Sequence, residues 1–140
     1  MSVMQQQVTS EGRTGAGRAL KISAGVTAAL VLVQAILAGR GWFVSHTFID
    51  IHGGVADVVL LAALVQAGLA YAARRRAGGA VFGLSLAILV LVIVQLGLGY
   101  AGRTSGTAAS LHVPNGVLIF GLTVATTVLA WARPGARADR

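Results

Sequence analysis

Four long runs of apolar residues, separated by short polar or basic segments, constrain this chain more than any other feature of its sequence. Each run reaches the ~18 residues that a membrane-spanning helix needs, and together they predict helices at about 20–39, 49–73, 77–101 and 108–132. The composition agrees, because 56% of the residues are hydrophobic and only 11% are charged, unlike a soluble domain. The sequence therefore predicts an all-α integral membrane four-helix bundle over residues 19–133.

The segments outside the four helices are too short for a further folded domain. Residues 1–18 are predicted to form a mobile N-terminal tail and residues 134–140 a short C-terminal tail. The first apolar run lacks an evident small-residue cleavage site, so we expect a retained helix rather than a signal peptide. The chain has no cysteine, which excludes disulfides, thiolate metal sites and covalent haem attachment through a CxxCH motif. Any chemistry is expected within the bundle or at its rim.

The distribution of basic residues predicts the orientation. The net charge is +7, and nine of the eleven Lys and Arg residues fall on one side of the predicted helices, leaving Arg40 and Arg103 on the other. The positive-inside rule then places both termini in the cytoplasm of a multi-pass protein of the bacterial plasma membrane. The lipid bilayer, with its anionic headgroups, accounts for the charge, so nucleic acid is not an expected partner. The nine are Arg13, Arg18, Lys21, Arg74, Arg75, Arg76, Arg133, Arg137 and Arg140.

With this topology all three histidines lie on the outer side. His46 falls in the first outer connection, His52 in the first turns of helix 2 and His112 in the first turns of helix 4. Helices 2 and 4 run in the same direction, so His52 and His112 are expected at similar depth, where an ionisable residue suggests a functional site. We expect His46 to be a loop residue. Asp57 lies about 140° around the helix from His52 and is not expected to orient that imidazole.

An internal repeat supports the pairing of His52 with His112. The pattern V-x-V-Q occurs twice, and each copy is followed by Gly-Arg and then by a helix-opening histidine, 18 residues after the first Gln and 17 after the second. The repeat predicts two pseudo-symmetric helical hairpins whose interface forms a site. The three repeated positions are Gln34, Arg40 and His52 in the first copy and Gln95, Arg103 and His112 in the second.

The two histidines predict a haem site. Imidazoles on facing helices, with no carboxylate or thiolate ligand nearby, suit axial ligation of haem b iron better than a zinc or non-haem iron site. Ala56 and Gly116 each lie four residues after a histidine, so the next turn on each ligand face is small enough for a flat macrocycle to approach. The alternative is that each histidine is solvated among lipid headgroups and binds nothing.

The repeated Arg and Gln residues complete the predicted site. Arg40 and Arg103 lie on the outer rim, where their guanidinium groups are expected to pair with the two haem propionates. Gln34 and Gln95 are expected mainly to form interhelical hydrogen bonds, which contribute ~0.6 kcal/mol on average in membranes. Contact of these glutamines with the cofactor or with a quinone is the lesser alternative.

Three stretches resemble a known family. QLGLGY followed by SLHVPNGVLIF, and DIHGGVADVVLL in helix 2, are similar to the histidine-bearing helices in one four-helix half of haem A synthase. They also resemble small four-helix bacterial membrane proteins with a D-L-H helix 2 and an L-H-P-x-N helix 4. The resemblance covers residues 25–132 and implies that His52 and His112 hold haem. The chain departs from the synthase pattern at Gly53, where that family has Arg, at Ile49, where it has a catalytic Glu, and in lacking its loop cysteines.

Two classes of function remain open from the sequence. The first is a small b-type haem protein, in electron transfer or haem handling near the outer leaflet, acting alone or as a homodimer. The second is a haem-free accessory subunit of a larger, respiratory-type membrane complex, in which the histidines are structural. A stand-alone enzyme ranks below both, because no nucleophile or acid–base pair is evident and the catalytic Glu of haem A synthase is missing.

Overall fold

The protein consists of α-helices joined by short connections. A computed structural model describes the backbone of residues 3–132 and the side chains of residues 15–75 and 77–132. Helix α1 is Val3–Phe43, and the helical stretch that follows divides at Gly78 into α2 (Thr47–Arg75) and α3 (Ala77–Ala101). Helix α4 is Gly106–Ala132. The backbone over residues 3–132 contains no strand, so the predicted all-α four-helix fold is confirmed.

All four helices are long and apolar enough to cross a membrane. Their candidate spans have 29, 29, 25 and 27 residues, against the ~20 that a bilayer requires. Large apolar side chains cover their outer surfaces, among them Leu61, Val117 and Val128, which are 59%, 67% and 59% exposed. An apolar surface of this kind promotes aggregation in water, whereas lipid chains solvate it. The helices are those of a multi-pass membrane protein.

The helix boundaries differ from the predicted ones mainly at the N-terminus. Helix α1 begins at Val3, within the segment 1–18 predicted as a tail, because the Gln, Glu, Arg and Ala residues there favour helix without being apolar. Helices α2 and α4 begin at Thr47 and Gly106, close to the predicted 49 and 108. The predicted tail 134–140 lies outside the described residues.

Gly78 makes the turn between α2 and α3. Its backbone has φ 80° and ψ 155°, a region that only glycine occupies without strain because it has no Cβ. It follows the three arginines Arg74, Arg75 and Arg76 in sequence. The guanidinium of Arg74 packs 4.0 Å from the Tyr71 ring centre and donates a 2.8 Å hydrogen bond to the Tyr71 carbonyl oxygen. This glycine therefore reverses the chain at one end of the bundle, called the Gly78 end below.

The opposite end, where α1 and α3 finish and α2 and α4 start, carries all three histidines and is called the histidine end. The bundle interior between the ends holds two apolar clusters. The central cluster consists of Val31, Val59, Ala63, Ile88, Val92 and Ile119. The lower cluster, nearer the Gly78 end, consists of Leu20, Ala70, Ala73, Val81 and Ala130.

The first and last helices are joined at the Gly78 end. The Trp131 indole Nε1 donates a 3.2 Å hydrogen bond to the Lys21 carbonyl oxygen, and the Lys21 ammonium lies 5.7 Å from the Trp131 ring centre. Tryptophan prefers this position because its ring is apolar and its N–H needs a partner. The contact closes the bundle between α1 and α4.

Candidate functional site

The structure brings His52 of α2 and His112 of α4 together at the histidine end. Their ring centres are 6.1 Å apart and the ring planes are inclined by 65°. Both residues are partly buried. Each lies in the early turns of its helix, and these helices start at the same end of the bundle, which is why residues distant in sequence meet at one depth.

The imidazole of His52 is held by the main chain of α1. Its Nδ1 lies 3.0 Å from the Gln34 carbonyl oxygen. A carbonyl oxygen only accepts, so Nδ1 must carry the proton and donate it. The neutral ring then has its lone pair on Nε2, which is the arrangement that prepares a histidine to bind a metal ion.

The imidazole of His112 lies close against α3. A Cβ at Gly99 would be 3.1 Å from its Cε1 and 3.5 Å from its Nδ1, so glycine is what allows the ring to approach the α3 backbone. The main chain of Gln95 lies beside the ring, but Nδ1 is buried without a well-formed hydrogen bond from the described residues. This ring therefore keeps an unsatisfied polar atom inside the bundle.

The side chain of Gln95 belongs to a hydrogen-bond network with α4. Asn115 Nδ2 donates to Gln95 Oε1 at 2.7 Å and to the Leu91 carbonyl oxygen at 3.2 Å. A Cβ at Gly116 would be 3.0 Å from Gln95 Nε2. Gly116 thus makes room for the Gln95 amide, and the expected interhelical role of this glutamine is what the structure shows.

Gln34 behaves differently from Gln95, although the repeat aligns them. Its main-chain oxygen binds His52, while its side-chain Oε1 is buried and has no hydrogen-bond partner in the described part of the chain. Ala56, the small residue expected beside His52, is partly buried on α2. The unpaired Oε1 marks a second position near the histidines where a polar group lacks a partner.

Arg40 lies near the C-terminal end of α1 and Arg103 in the connection between α3 and α4, both at the histidine end. Both are exposed, and each guanidinium packs over a neighbouring aromatic ring, Arg40 at 4.6 Å from the Phe48 ring centre and Arg103 at 5.2 Å from that of Tyr100. Such cation–π contacts orient the guanidinium and leave its N–H donors accessible. Both guanidinium groups are thus oriented by aromatic rings at the histidine end.

Two polar residues of this region stay outside the site. His46 precedes the first turn of α2 as its N-cap residue and is exposed. Asp57 is also exposed, on a different face of α2 from His52. Among the residues whose side chains are described, no three His, Cys, Asp or Glu residues cluster as metal ligands.

No family model, curated protein or solved structure matches the chain.

The spacing of the two rings is one at which both could bind a single metal ion. Imidazoles that bind one metal ion from opposite sides have ring centres roughly 6 Å apart, because each metal–nitrogen bond is ~2 Å and each centre lies about 1 Å beyond its nitrogen. The observed separation is 6.1 Å. With Nδ1 bonded to Gln34, His52 has Nε2 as its free ring nitrogen, and imidazole nitrogens are known ligands of haem iron.

Sequence reasoning missed two residues that shape the site, Gly99 and Asn115. Asn115 lies three residues after His112 in the stretch LHVPNG, one turn along the helix, and an amide at that spacing signals a polar contact inside a membrane bundle. Gly99 lies in QLGLGY, where nothing in the pattern distinguishes it from Gly97. Only the packing of α3 against α4 distinguishes Gly99 from Gly97.

Proposed function

We propose that this protein is a small membrane haem protein of the b type, in which His52 and His112 would hold the haem iron. It would serve in electron transfer or haem handling near the outer leaflet. The observation that carries the proposal is the imidazole pair, 6.1 Å apart between ring centres, with one ring already fixed through Nδ1. Haem would supply one-electron chemistry, while the chain positions and insulates it.

The residues around the pair support this function in distinct ways. The Gln34 carbonyl oxygen fixes the tautomer of His52 and increases the basicity of its Nε2. Gly99 lets His112 lie against α3. The Asn115–Gln95 bond ties α3 to α4 one turn below His112. The bond to Gln34 orients the His52 ring before any ligand binds, which lowers the ordering cost of binding.

Arg40 and Arg103 are proposed to bind the carboxylates of the cofactor. Both guanidinium groups lie at the rim, oriented by aromatic rings, and propionate groups at that rim would receive charge-assisted hydrogen bonds. Ala56 is proposed as the small residue of the His52 ligand face, whereas the space beside Gly116, expected to be open, is filled by the Gln95 amide. The Gln95 amide lies against Gly116, so Gln95 would contact the cofactor edge there.

We propose a bacterial plasma membrane location with both termini in the cytoplasm. The described cations support this orientation, because Arg18, Lys21, Arg74 and Arg75 belong to the Gly78 end and Arg40 and Arg103 to the histidine end. Under the positive-inside rule the end with more cations faces the cytoplasm. The histidine pair would then lie in the outer half of the bilayer.

The two hairpins are proposed to be related by approximate two-fold symmetry about an axis along the membrane normal. In each hairpin the histidine of the second helix lies beside the main chain of the repeated glutamine of the first, His52 at Gln34 and His112 at Gln95. An experimental structure in which α1–α2 superposes on α3–α4 with these residues coincident supports the symmetry. Superposition that separates them contradicts it.

A protein partner in the membrane is also proposed, either a second copy or another subunit of a complex. Asp57 supports this, because it lies well inside the α2 span and yet is exposed on the surface of the bundle. A carboxyl group facing lipid is costly. Contact with another protein would cover it.

Haem A synthase activity is not part of the proposal. Ile49 and Gly53 stand where that family has Glu and Arg, and the side chain of Ile49 packs against Gly41 rather than offering an acid or base. The resemblance extends only to the histidines that would hold haem.

The experiment is a visible spectrum of the purified, detergent-solubilised protein, oxidised and reduced. We expect a low-spin, six-coordinate b-type spectrum that is lost in His52→Ala and in His112→Ala but kept in His46→Ala. His46 is the matched control, because it is an exposed histidine of the same region. Wild-type spectra from both site variants, or a wild-type protein that takes up no haem, would favour the haem-free accessory subunit instead.

A further inference from the structure

A band of buried polar side chains crosses the bundle between its two apolar clusters. The described residues include five polar side chains that are almost completely buried, with exposures of 0% or 1%. Every helix contributes at least one of them, and in every helix it falls in sequence between the residues of the central cluster and those of the lower cluster. We call this set the polar band, and its members are Thr27, Gln66, Ser85, Thr123 and Thr126.

The polar band is separate from the histidine site. Gln66 and Thr126 each lie 14 residues after the histidine of their own helix, which places them ~21 Å further along the helix at 1.5 Å per residue. The central cluster, with Val59 and Ile119, fills the space between. No step in the proposed haem function uses the polar band.

The hydroxyl hydrogens of the band are already committed to main-chain oxygens. Thr27 Oγ1 donates to the Ser23 carbonyl oxygen at 2.9 Å, Thr123 to that of Phe120 at 2.8 Å and Thr126 to that of Leu122 at 2.7 Å. Ser85 Oγ donates to the Val81 carbonyl oxygen at 2.8 Å. What these groups present to the interior is therefore the lone pairs of their oxygens.

Gln66 is the unsatisfied member. Its Nε2 donates to Ser85 Oγ at 3.3 Å, but its Oε1 is buried and has no partner among the described residues. Turning the amide over would exchange its O and N and would again leave one of the two atoms unpaired. A buried amide oxygen without a partner is destabilising, and buried polar groups of this kind normally bind an internal water.

We propose that the polar band binds at least one internal water molecule, which donates one hydrogen bond to Gln66 Oε1 and another to a threonine Oγ1 of the band. The band offers acceptors and few free donors, which suits a ligand with two hydrogens to donate. Its described members carry no charge, so a metal cation there would lack the paired carboxylate that buried charges require. Water is the neutral donor of the right size.

The direct test is magnetisation transfer from water in an NMR spectrum of the full-length protein in nanodiscs. We expect magnetisation transfer from water to the side-chain amide protons of Gln66. The transfer should be as strong as that to the protons of Thr104 and Ser105, which lie in the connection between α3 and α4 and serve as the reference. Transfer at the connection with none at Gln66 would show that the band is dry and would overturn the proposal.

The sign of a stability change gives an independent test. Gln66→Met is made in a Ser85→Ala background, where the amide no longer has the Ser85 Oγ as a partner, and it keeps the unbranched shape while removing the amide. If water is bound, the variant removes the oxygen that accepts the water's hydrogen bond, and the Tm falls. If the band is dry, the variant removes an unpaired oxygen and the Tm stays the same or rises, which contradicts the proposal. Leu64→Met, an exposed position of the same helix, is the matched control and should leave the Tm unchanged.

A double-mutant comparison identifies the second partner. Gln66→Met is combined in turn with Thr27→Val, Thr123→Val and Thr126→Val, which keep the side-chain shape and remove the hydroxyl. A shared water makes at least one pair non-additive in Tm, whereas additivity of all three pairs would contradict a bridging water. The Tm should be the same in sodium and potassium salts, since a rise specific to one cation would assign the band to that ion instead.

Discussion

Nδ1 of His52 lies 3.0 Å from the carbonyl oxygen of Gln34, so a main-chain atom of α1 orients the ring on α2. The Gln34 side chain takes no part in this contact, and its own Oε1 is unpaired among the described residues. The repeat-equivalent Gln95 uses its side chain instead, as the acceptor for Asn115. Gln34 thus acts through its main chain and Gln95 through its side chain.

This difference predicts opposite outcomes for the same substitution. Gln34→Leu should keep the His52 contact and leave stability unchanged or slightly higher, because it removes a buried unpaired oxygen. Gln95→Leu should lower the free energy of unfolding by about 0.5–2 kcal/mol, because the Asn115 amide loses one acceptor inside the membrane. Unfolding in mixed micelles measures both, and equal effects of the two variants would contradict the assignment.

The close approach of His112 to α3 predicts a steric effect at Gly99. In Gly99→Ala the new methyl group would lie 3.1 Å from His112 Cε1, so the ring must shift, and we expect weaker haem uptake and an altered reduced spectrum. Gly97→Ala is the control, because a Cβ there meets nothing within 4 Å. Haem titration of both variants checks this, and identical affinities would show that the ring accommodates the methyl group freely.

The turn between α2 and α3 predicts that Gly78 cannot be replaced without strain. Gly78→Ala forces a side chain into φ 80°, ψ 155°, at a cost of ~1–3 kcal/mol. Its neighbour Gly79 shows neither a positive φ nor an atom within 4 Å of a built Cβ, so Gly79→Ala should be neutral or slightly stabilising. Thermal unfolding of the two variants separates backbone strain from the mere loss of a glycine.

The charge asymmetry predicts which end of the bundle faces outward. The chain has no cysteine, so in a variant with one introduced cysteine only that thiol can react with the reagent. In intact cells a membrane-impermeant thiol reagent should label His46→Cys, while Arg75→Cys should be labelled only after the membrane is opened. The reverse labelling pattern would place the histidine pair in the inner half of the bilayer and contradict the proposed orientation.

The four helices could be predicted because apolar runs of spanning length have few alternatives to helix. The approach of His52 to His112 also followed from the sequence, since parallel helices that start at one end carry early residues to one depth. The main-chain contact of Gln34 with His52 could not be predicted, because every residue has a carbonyl oxygen and only helix packing selects one. Gly99 and the polar band were missed for the same reason, since small residues and threonines are common throughout membrane helices.

The contact between Lys21 and Trp131 joins residues 110 positions apart, and this bears on how the protein is made. At ~5–20 residues per second, about 5–20 seconds of translation separate the two residues. During that interval the first helix has α2 and then α3 as neighbours but lacks its contact with α4. A translocation machinery or membrane chaperone that shelters α1 for this time would protect the nascent chain from premature association with other membrane segments.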